Sequence, residues 1–211
     1  MNLTFIFFLG LFFALIGVIP PGLLNITAAK ISLKEGHTRG VVFSIGVCIV
    51  VFAQTYIAAI FARYLSMHPE VVSILRSVAL VIFILITIYF LFITKASSKQ
   101  QIQPKTKSKH SRFFQGMLMS AINMFPIPYQ AYMTTTLASI GWLNFEQTSI
   151  ISYVTGAGMG TFVMLYVYIF FFDKIKSKSF TSQKNMNYII GGITGIISIV
   201  TIINMIRDFY A

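Results

Sequence analysis

Acidic side chains are nearly missing from this chain: five Asp and Glu stand in 211 residues, and none falls inside its long apolar runs. Membrane-depth counter-ions and proton carriers of the carboxylate kind are therefore absent. Cysteine occurs once, as Cys48 within an apolar run, which excludes a disulfide framework and dithiol redox chemistry and reads as packing. The three histidines, His37, His68 and His110, are scattered through polar connections instead of standing at ligand spacing, so neither a metal site nor a cofactor is expected. The sequence has no ATP-binding loop and no catalytic cluster, which argues against an ATP-driven pump and against an enzyme. Nor is there a stretch that would make a soluble domain. The longest polar segment, Ser97 to Arg112, is too short and too poor in apolar residues to fold alone.

What the chain does have is apolar length. Hydrophobic residues make up 56% and charged residues 10%, with a mean hydropathy of +0.81, the balance of an integral membrane protein. The apolar residues come in unbroken runs of about twenty, so helices are indicated rather than barrel strands. Six runs qualify: Leu3–Thr27, Val41–Ala62, Val71–Thr94, Phe113–Leu137, Ser149–Phe172 and Tyr188–Ile206. Arg76, the single charge within them, enters the third close to its start, where it can snorkel to the interface. The first Lys or Arg is Lys30, so the basic flank of a signal peptide is missing and the first run is expected to stay in the mature protein.

A net charge of +11 would point a soluble chain toward nucleic acid, but here the basic residues lie between apolar runs, where they set orientation. The first, third and fifth connections hold 13 of the 16 Lys and Arg. Positive charge inside then places those connections in the cytoplasm and both termini outside. The linker at 95–112 carries Lys105, Lys107 and Lys109, which either contact anionic lipid or are simply solvated. It separates residues 1–94 from 113–211, each with three runs. An odd number of spans forces the second half to enter from the opposite side, so an all-α fold of two inverted three-helix repeats is expected.

Both repeats begin with a broken helix. Pro20 and Pro21 lack the N–H groups that would bond Ile16 and Gly17, and Pro126 and Pro128 likewise leave the carbonyls of Ile122 and Met124 free. Gly10 precedes Pro20 by ten residues and Gly116 precedes Pro126 by ten; a second proline and a polar side chain, Asn25 or Gln130, follow in each case. Irregular backbone at membrane depth is tolerated where protein or a water-filled cavity covers it. The half-helices after Pro21 and after Pro126 to Pro128 each offer a dipole-positive N-terminus to a carboxylate, and freed carbonyls can accept from an ammonium group. The candidate site comprises Pro21, Gly22, Leu23, Asn25, Asn123, Pro126, Pro128 and Gln130. Asn25 and Asn123 serve equally well as packing contacts between spans, and for Gln54 packing is favoured over a neutral hydrogen bond to the ligand. The glycine pairs Gly36 with Gly40, Gly156 with Gly160 and Gly191 with Gly195 suit close helix approach, within one chain or across a homodimer.

Pro21-Gly22, followed by Gly36, Gly40 and Gly46, resembles the LysE/RhtB-type family of bacterial amino-acid exporters, and with the basic linker between two three-helix halves the resemblance covers essentially the whole chain. Gly116 and Asn123 match the family's fourth span, where Met124-Phe125 replace Pro-Lys. The family's Pro-Gly-Pro reads Pro21-Gly22-Leu23 here, and Val51 stands about where an acidic residue is often found in the second span. The resemblance implies a secondary exporter of amino acids or related small metabolites in the inner membrane, although the departure at Val51 removes the obvious proton carrier. Two other readings stay open on the residues alone: a membrane scaffold that uses the same glycines and prolines for packing, and an uncoupled channel. The charge count carries its own test. With Cys48 removed, a cysteine replacing Ser98 is expected to resist an impermeant thiol reagent in intact cells while one replacing Asn2 reacts, and the reverse pattern would overturn the orientation.

Overall fold

The computed structural model describes residues 2–19, 22–93 and 108–175, together with positions 188, 191–192, 195–196, 198–199, 201–203 and 205–206. The described residues are all-α. Helix α1 (Leu3–Val18) starts at Asn2, whose side chain accepts from the Thr4 N–H at 3.0 Å, and α2 (Leu23–Glu35) starts after Gly22. Pro20 and Pro21 lie outside the described residues. The two helices meet at 80°, the bend expected where prolines stop the ladder. Helix α3 (His37–Met67) follows immediately, because Gly36 adopts φ 93, a left-handed angle that any side chain would resist. At 31 residues α3 is about 46 Å long, more than a bilayer's hydrocarbon core.

Helix α4 (Pro69–Ile88) continues through a π-helical segment, Tyr89–Ile93. Helix α5 (Lys109–Ile122) is capped by Ser108, whose Oγ accepts from the Ser111 N–H at 3.2 Å. After a second break, α6 (Pro126–Ser139) opens on a proline in its first turn, where no N–H is needed. Gly141, at φ 77, ends that segment as Gly36 ends α2. Helix α7 (Gln147–Ile175) completes the described part of the second half apart from the helical positions between 188 and 206. Among the described residues α3 and Gln147–Phe171 are long and apolar enough to cross a membrane, and α1 with α2 qualifies as a third, bent span.

Two compact units form, residues 1–67 with 103–175 and residues 68–102 with 176–211. In the smaller unit Gly191 lies against the Leu91 side chain and Gly195 against Thr87. In the larger unit α1 packs along α7 and α5 along α3, while α2 lies on α3 and α7 and α6 lies on α3. Glycine sets these approaches. A Cβ at Gly10 would overlap the Tyr153 carbonyl, and one at Gly156 the Phe7 carbonyl; a Cβ at Gly116 would overlap the Phe43 carbonyl, and one at Gly46 the Phe113 carbonyl. The register repeats. Gly116 follows Gly10 by 106 positions, and each sits against residues of the partner helix, Phe43 and Tyr153, that are 110 apart.

The expected pairing of Gly36 with Gly40 as a close-approach motif does not hold. No atom lies within 4 Å of where a Gly36 Cβ would be, so Gly36 serves the backbone turn, whereas Gly40 packs on Ser32 and Ile169. Gly160 does support helix approach, against Leu11. Apolar clusters fill both ends of this unit: Ala28, Ile31, Phe43, Leu165 and Ile169 at one, Ile6, Leu9, Leu137, Leu143 and Tyr153 at the other. Cys48 packs beside the first cluster. Phe8, Phe12, Phe114, Leu118 and Ile122 point outward, which suits a hydrocarbon surround.

The glycine contacts predict a graded response. Gly116→Ala or Gly156→Ala forces backbone apart and is expected to destabilise by about 1–3 kcal/mol. Gly158→Ala, whose Cβ would meet only Phe52 at 3.4 Å, is expected to leave stability nearly unchanged. Thermal unfolding of the detergent-solubilised protein would compare them, and equal midpoints would contradict the packing described.

Candidate functional site

A helix that stops inside a membrane leaves its last carbonyls without partners, and in this chain side chains from other helices take them up. At the first break Val18 O accepts from Asn25 Nδ2 at 2.7 Å, and Ile19 O accepts from the Tyr168 hydroxyl at 2.7 Å. At the second, Gln54 Nε2 donates to both Ser120 O and Asn123 O, at 3.1 and 3.0 Å. None of these four is a carbonyl that the proline count frees, which are those of Ile16, Gly17, Ile122 and Met124. Ile16 O receives the Ile19 N–H at 3.3 Å and Met124 O the Ile127 N–H at 3.2 Å. Tightening to three-residue spacing at each break satisfies those two and leaves neighbouring carbonyls of the final turns for side chains to cap.

Tyr129 links the breaks. From the first turn of α6 its hydroxyl donates to Phe13 O in α1 at 2.7 Å, and its ring occupies the space beside Gly17, where a Cβ would lie 2.7 Å from Cε1. Phe125 stacks on Tyr129 with ring centroids 6.1 Å apart. One residue on, Gln130 Oε1 accepts from the Tyr153 hydroxyl at 2.7 Å, and Thr134 Oγ1 donates back to Gln130 O at 2.7 Å. Tyr153 is fully buried, so its hydroxyl requires this partner.

The residues expected from sequence fall into distinct places. Pro21 lies outside the described residues. Gly22 precedes α2 with φ −80 and ψ 175, ordinary extended backbone, so the break does not require glycine there for its angles. The Leu23 side chain is 69% exposed and turned outward. Asn25 and Gln130 are buried and hydrogen-bonded within the protein; Asn123 offers its backbone carbonyl to Gln54. Pro126 and Pro128 occupy the first turn of α6, Pro128 on its exposed side. The N-cap residues of α2 and α6, Gly22 and Phe125, make no side-chain cap among the described residues. Near the second break Gln54 Oε1 and Ser120 Oγ are buried with no hydrogen-bond partner among the described residues. No group of three or more His, Cys, Asp or Glu placed to hold a metal occurs among those residues either.

Sequence reasoning missed Tyr129, Tyr153 and Tyr168, and favoured packing over a ligand hydrogen bond for Gln54. A signal existed: in spans dominated by phenylalanine, with 21 Phe to 10 Tyr in the chain, each tyrosine in mid-span carries a hydroxyl that must find an acceptor.

Helices interrupted within their spans and cross-tied by side chains are the architecture of a multi-pass membrane protein. The chain belongs to the LysE type translocator family, whose model matches residues 15–205. No curated protein and no solved structure matches it. Membership makes this a membrane transporter of small solutes such as amino acids, in a family of transporters and not of enzymes.

The cap on the second break can be tested directly. Gln54→Leu removes the side-chain donor from the part-buried Asn123 O and leaves Ser120 O with the Asn123 N–H alone, and is expected to cost about 1–3 kcal/mol in thermal unfolding. Gln147→Leu, which removes only the exposed bond to Tyr56, should cost far less; a reversed order would show that Gln54 does not hold the break.

Proposed function

We propose that the protein exports amino acids or related small metabolites across the inner membrane by alternating access between two inverted three-helix repeats, with both termini outside. The register of the glycine contacts supports the repeats: α1 on α7 and α5 on α3 place Gly10 and Gly116 against equivalent backbone. In this reading α1, α2 and α3 correspond to α5, α6 and α7. In each half α4 or the helical positions described between 188 and 206 contribute to the smaller unit.

The observation that carries the substrate assignment is the pair of uncapped helix N-termini beside two breaks tied together by Tyr129. The N–H groups at Gly22 to Leu24 and the positive dipole end of α2 suit a carboxylate; α6 adds its dipole alone, because Pro126 and Pro128 carry no N–H and those of Ile127 and Tyr129 bond Met124 O and Phe125 O. The unpartnered Gln54 Oε1 and Ser120 Oγ, beside carbonyls at the dipole-negative end of α5, suit an ammonium. Pro21, Gly22, Leu23, Asn25, Asn123, Pro126, Pro128 and Gln130 then form the substrate-binding segments. Leu23 contributes through its backbone alone, and Asn25 and Gln130 by fixing the helix ends. No acidic residue stands in any expected span, so neutral side chains are preferred to cationic ones.

Gly22→Val tests this reading. Valine adopts extended angles readily, so the substitution adds bulk beside the N–H groups without backbone strain. It is expected to abolish amino-acid efflux from loaded liposomes while leaving insertion and thermal stability intact, and amino-acid amides are expected to be poor substrates of the unaltered protein. Normal efflux by Gly22→Val, or amides carried as well as their parents, would reduce the break to a packing kink.

A further inference from the structure

Glu35 and Arg112 form an ion pair in which each side chain is only 3% exposed. Arg112 Nε donates to Glu35 Oε2 at 2.9 Å and Nη2 donates to Oε1, while Nη1 donates to Gln115 Oε1, so the guanidinium fork is engaged on both edges. Arg39 Nη1 donates to the Glu35 backbone carbonyl at 2.9 Å. Glu35 is the last residue of α2 and Arg112 lies in the first turn of α5. Helix α2 runs from the first break to this end of the larger unit, and α5 runs from this end to the second break. Apart from the pair the two helices barely touch. The ion pair is thus a tie between the outer tips of the two half-helices that lead to the breaks.

At the opposite end α1 and α6 stand in the same relation to the breaks, but their closure is apolar: Ile6 and Leu9 of α1 cluster with Leu137 of α6, Leu143 and Tyr153. The position that corresponds to Arg112, 106 residues earlier, is Ile6. The two closures therefore differ in chemistry. Parting the apolar one exposes hydrocarbon to water, whereas parting the ionic one returns two charges to water, and that hydration offsets most of the attraction lost. Gly36, at φ 93 and with no neighbouring atom within 4 Å of a Cβ position, supplies a joint about which α2 can move relative to α3.

We propose that the Glu35–Arg112 pair is a latch that closes the basic end of the transport path and opens once per cycle; the proposal rests on the alternating-access reading above. Met119 lies two turns inside Arg112 on α5, half-buried, with Gln115 Nε2 3.7 Å from its sulfur. In protein carrying C48A and M119C, reconstituted with the basic end accessible, an impermeant maleimide reports whether the latch is closed. The double variant E35Q/R112Q leaves no unpaired charge. It is expected to label roughly tenfold faster or more, the change that loss of a charge-assisted hydrogen bond produces. The exchanged variant E35R/R112E is expected to return labelling toward the slow rate. Labelling of E35Q/R112Q at the parent rate would overturn the latch.

A second measurement does not depend on those variants folding. E35C/R112C in the C48A background, bridged by a reducible bifunctional thiosulfonate, is expected to stop efflux of a mixture of the twenty amino acids, and reductant to restore it. Efflux that persists through the bridge overturns the latch. If unbridged protein carries none of the mixture while labelling still responds to E35Q/R112Q, the closure stands and the amino-acid reading fails instead.

Discussion

Backbone carbonyls cannot be left bare inside hydrocarbon, and this molecule interrupts two helices there. Everything around the interruptions follows from meeting that demand. Asn25 and Tyr168 cover the end of α1, Gln54 covers the end of α5, and Tyr129 reaches from one break to the other. Each donor is neutral. A charged donor would need its own partner at the same depth, and the chain keeps its described buried ion pair at one end of the larger unit instead. The polar interior is built from amides, hydroxyls and backbone.

Covering the breaks requires the helices to lie close, and glycine permits it. Gly10, Gly46, Gly116, Gly156 and Gly160 bring backbone against backbone along α1 and α7 and along α3 and α5. Hydrocarbon solvates leucine as well as a neighbouring helix does, so association inside the bilayer depends on such close fit and on the interhelical hydrogen bonds. The same contacts that align the helices place Gln54 beside Ser120 and Tyr168 beside Ile19.

Much of this was legible in the sequence, and for identifiable reasons. Composition and run length announced a helical membrane protein; the prolines at 20, 21, 126 and 128 announced both breaks, since a missing N–H is a local property of the residue. Gly10 and Gly116, each ten residues before a proline, both pack against the backbone of another helix. Helix ends were less visible. Helix α3 begins at His37 and ends at Met67, well outside the apolar run Val41–Ala62, because a helix continues past the hydrocarbon that selects its apolar part. What the sequence concealed were the partners. Tyr129 meets a carbonyl 116 positions away, Tyr168 one 149 positions away, and Glu35 pairs with a side chain 77 positions away. No spacing rule reaches that far, and Glu35 stood among basic neighbours that the charge count treated only as signs of orientation.

The crossed arrangement of α1 on α7 and α5 on α3 has a consequence for how the protein is made. A ribosome delivers α1 to the membrane long before α7 exists, yet the surface of α1 around Gly10 is shaped for α7 and for nothing in its own half. Until the second half of the chain emerges, the carbonyl of Ile19 also lacks Tyr168 and that of Phe13 lacks Tyr129. The nascent first half must therefore wait in the bilayer as an incomplete assembly, with its glycine groove open and its broken helix uncovered. Such a chain is a natural client for insertion machinery that shelters polar backbone, and a natural target for membrane proteases when synthesis stops early.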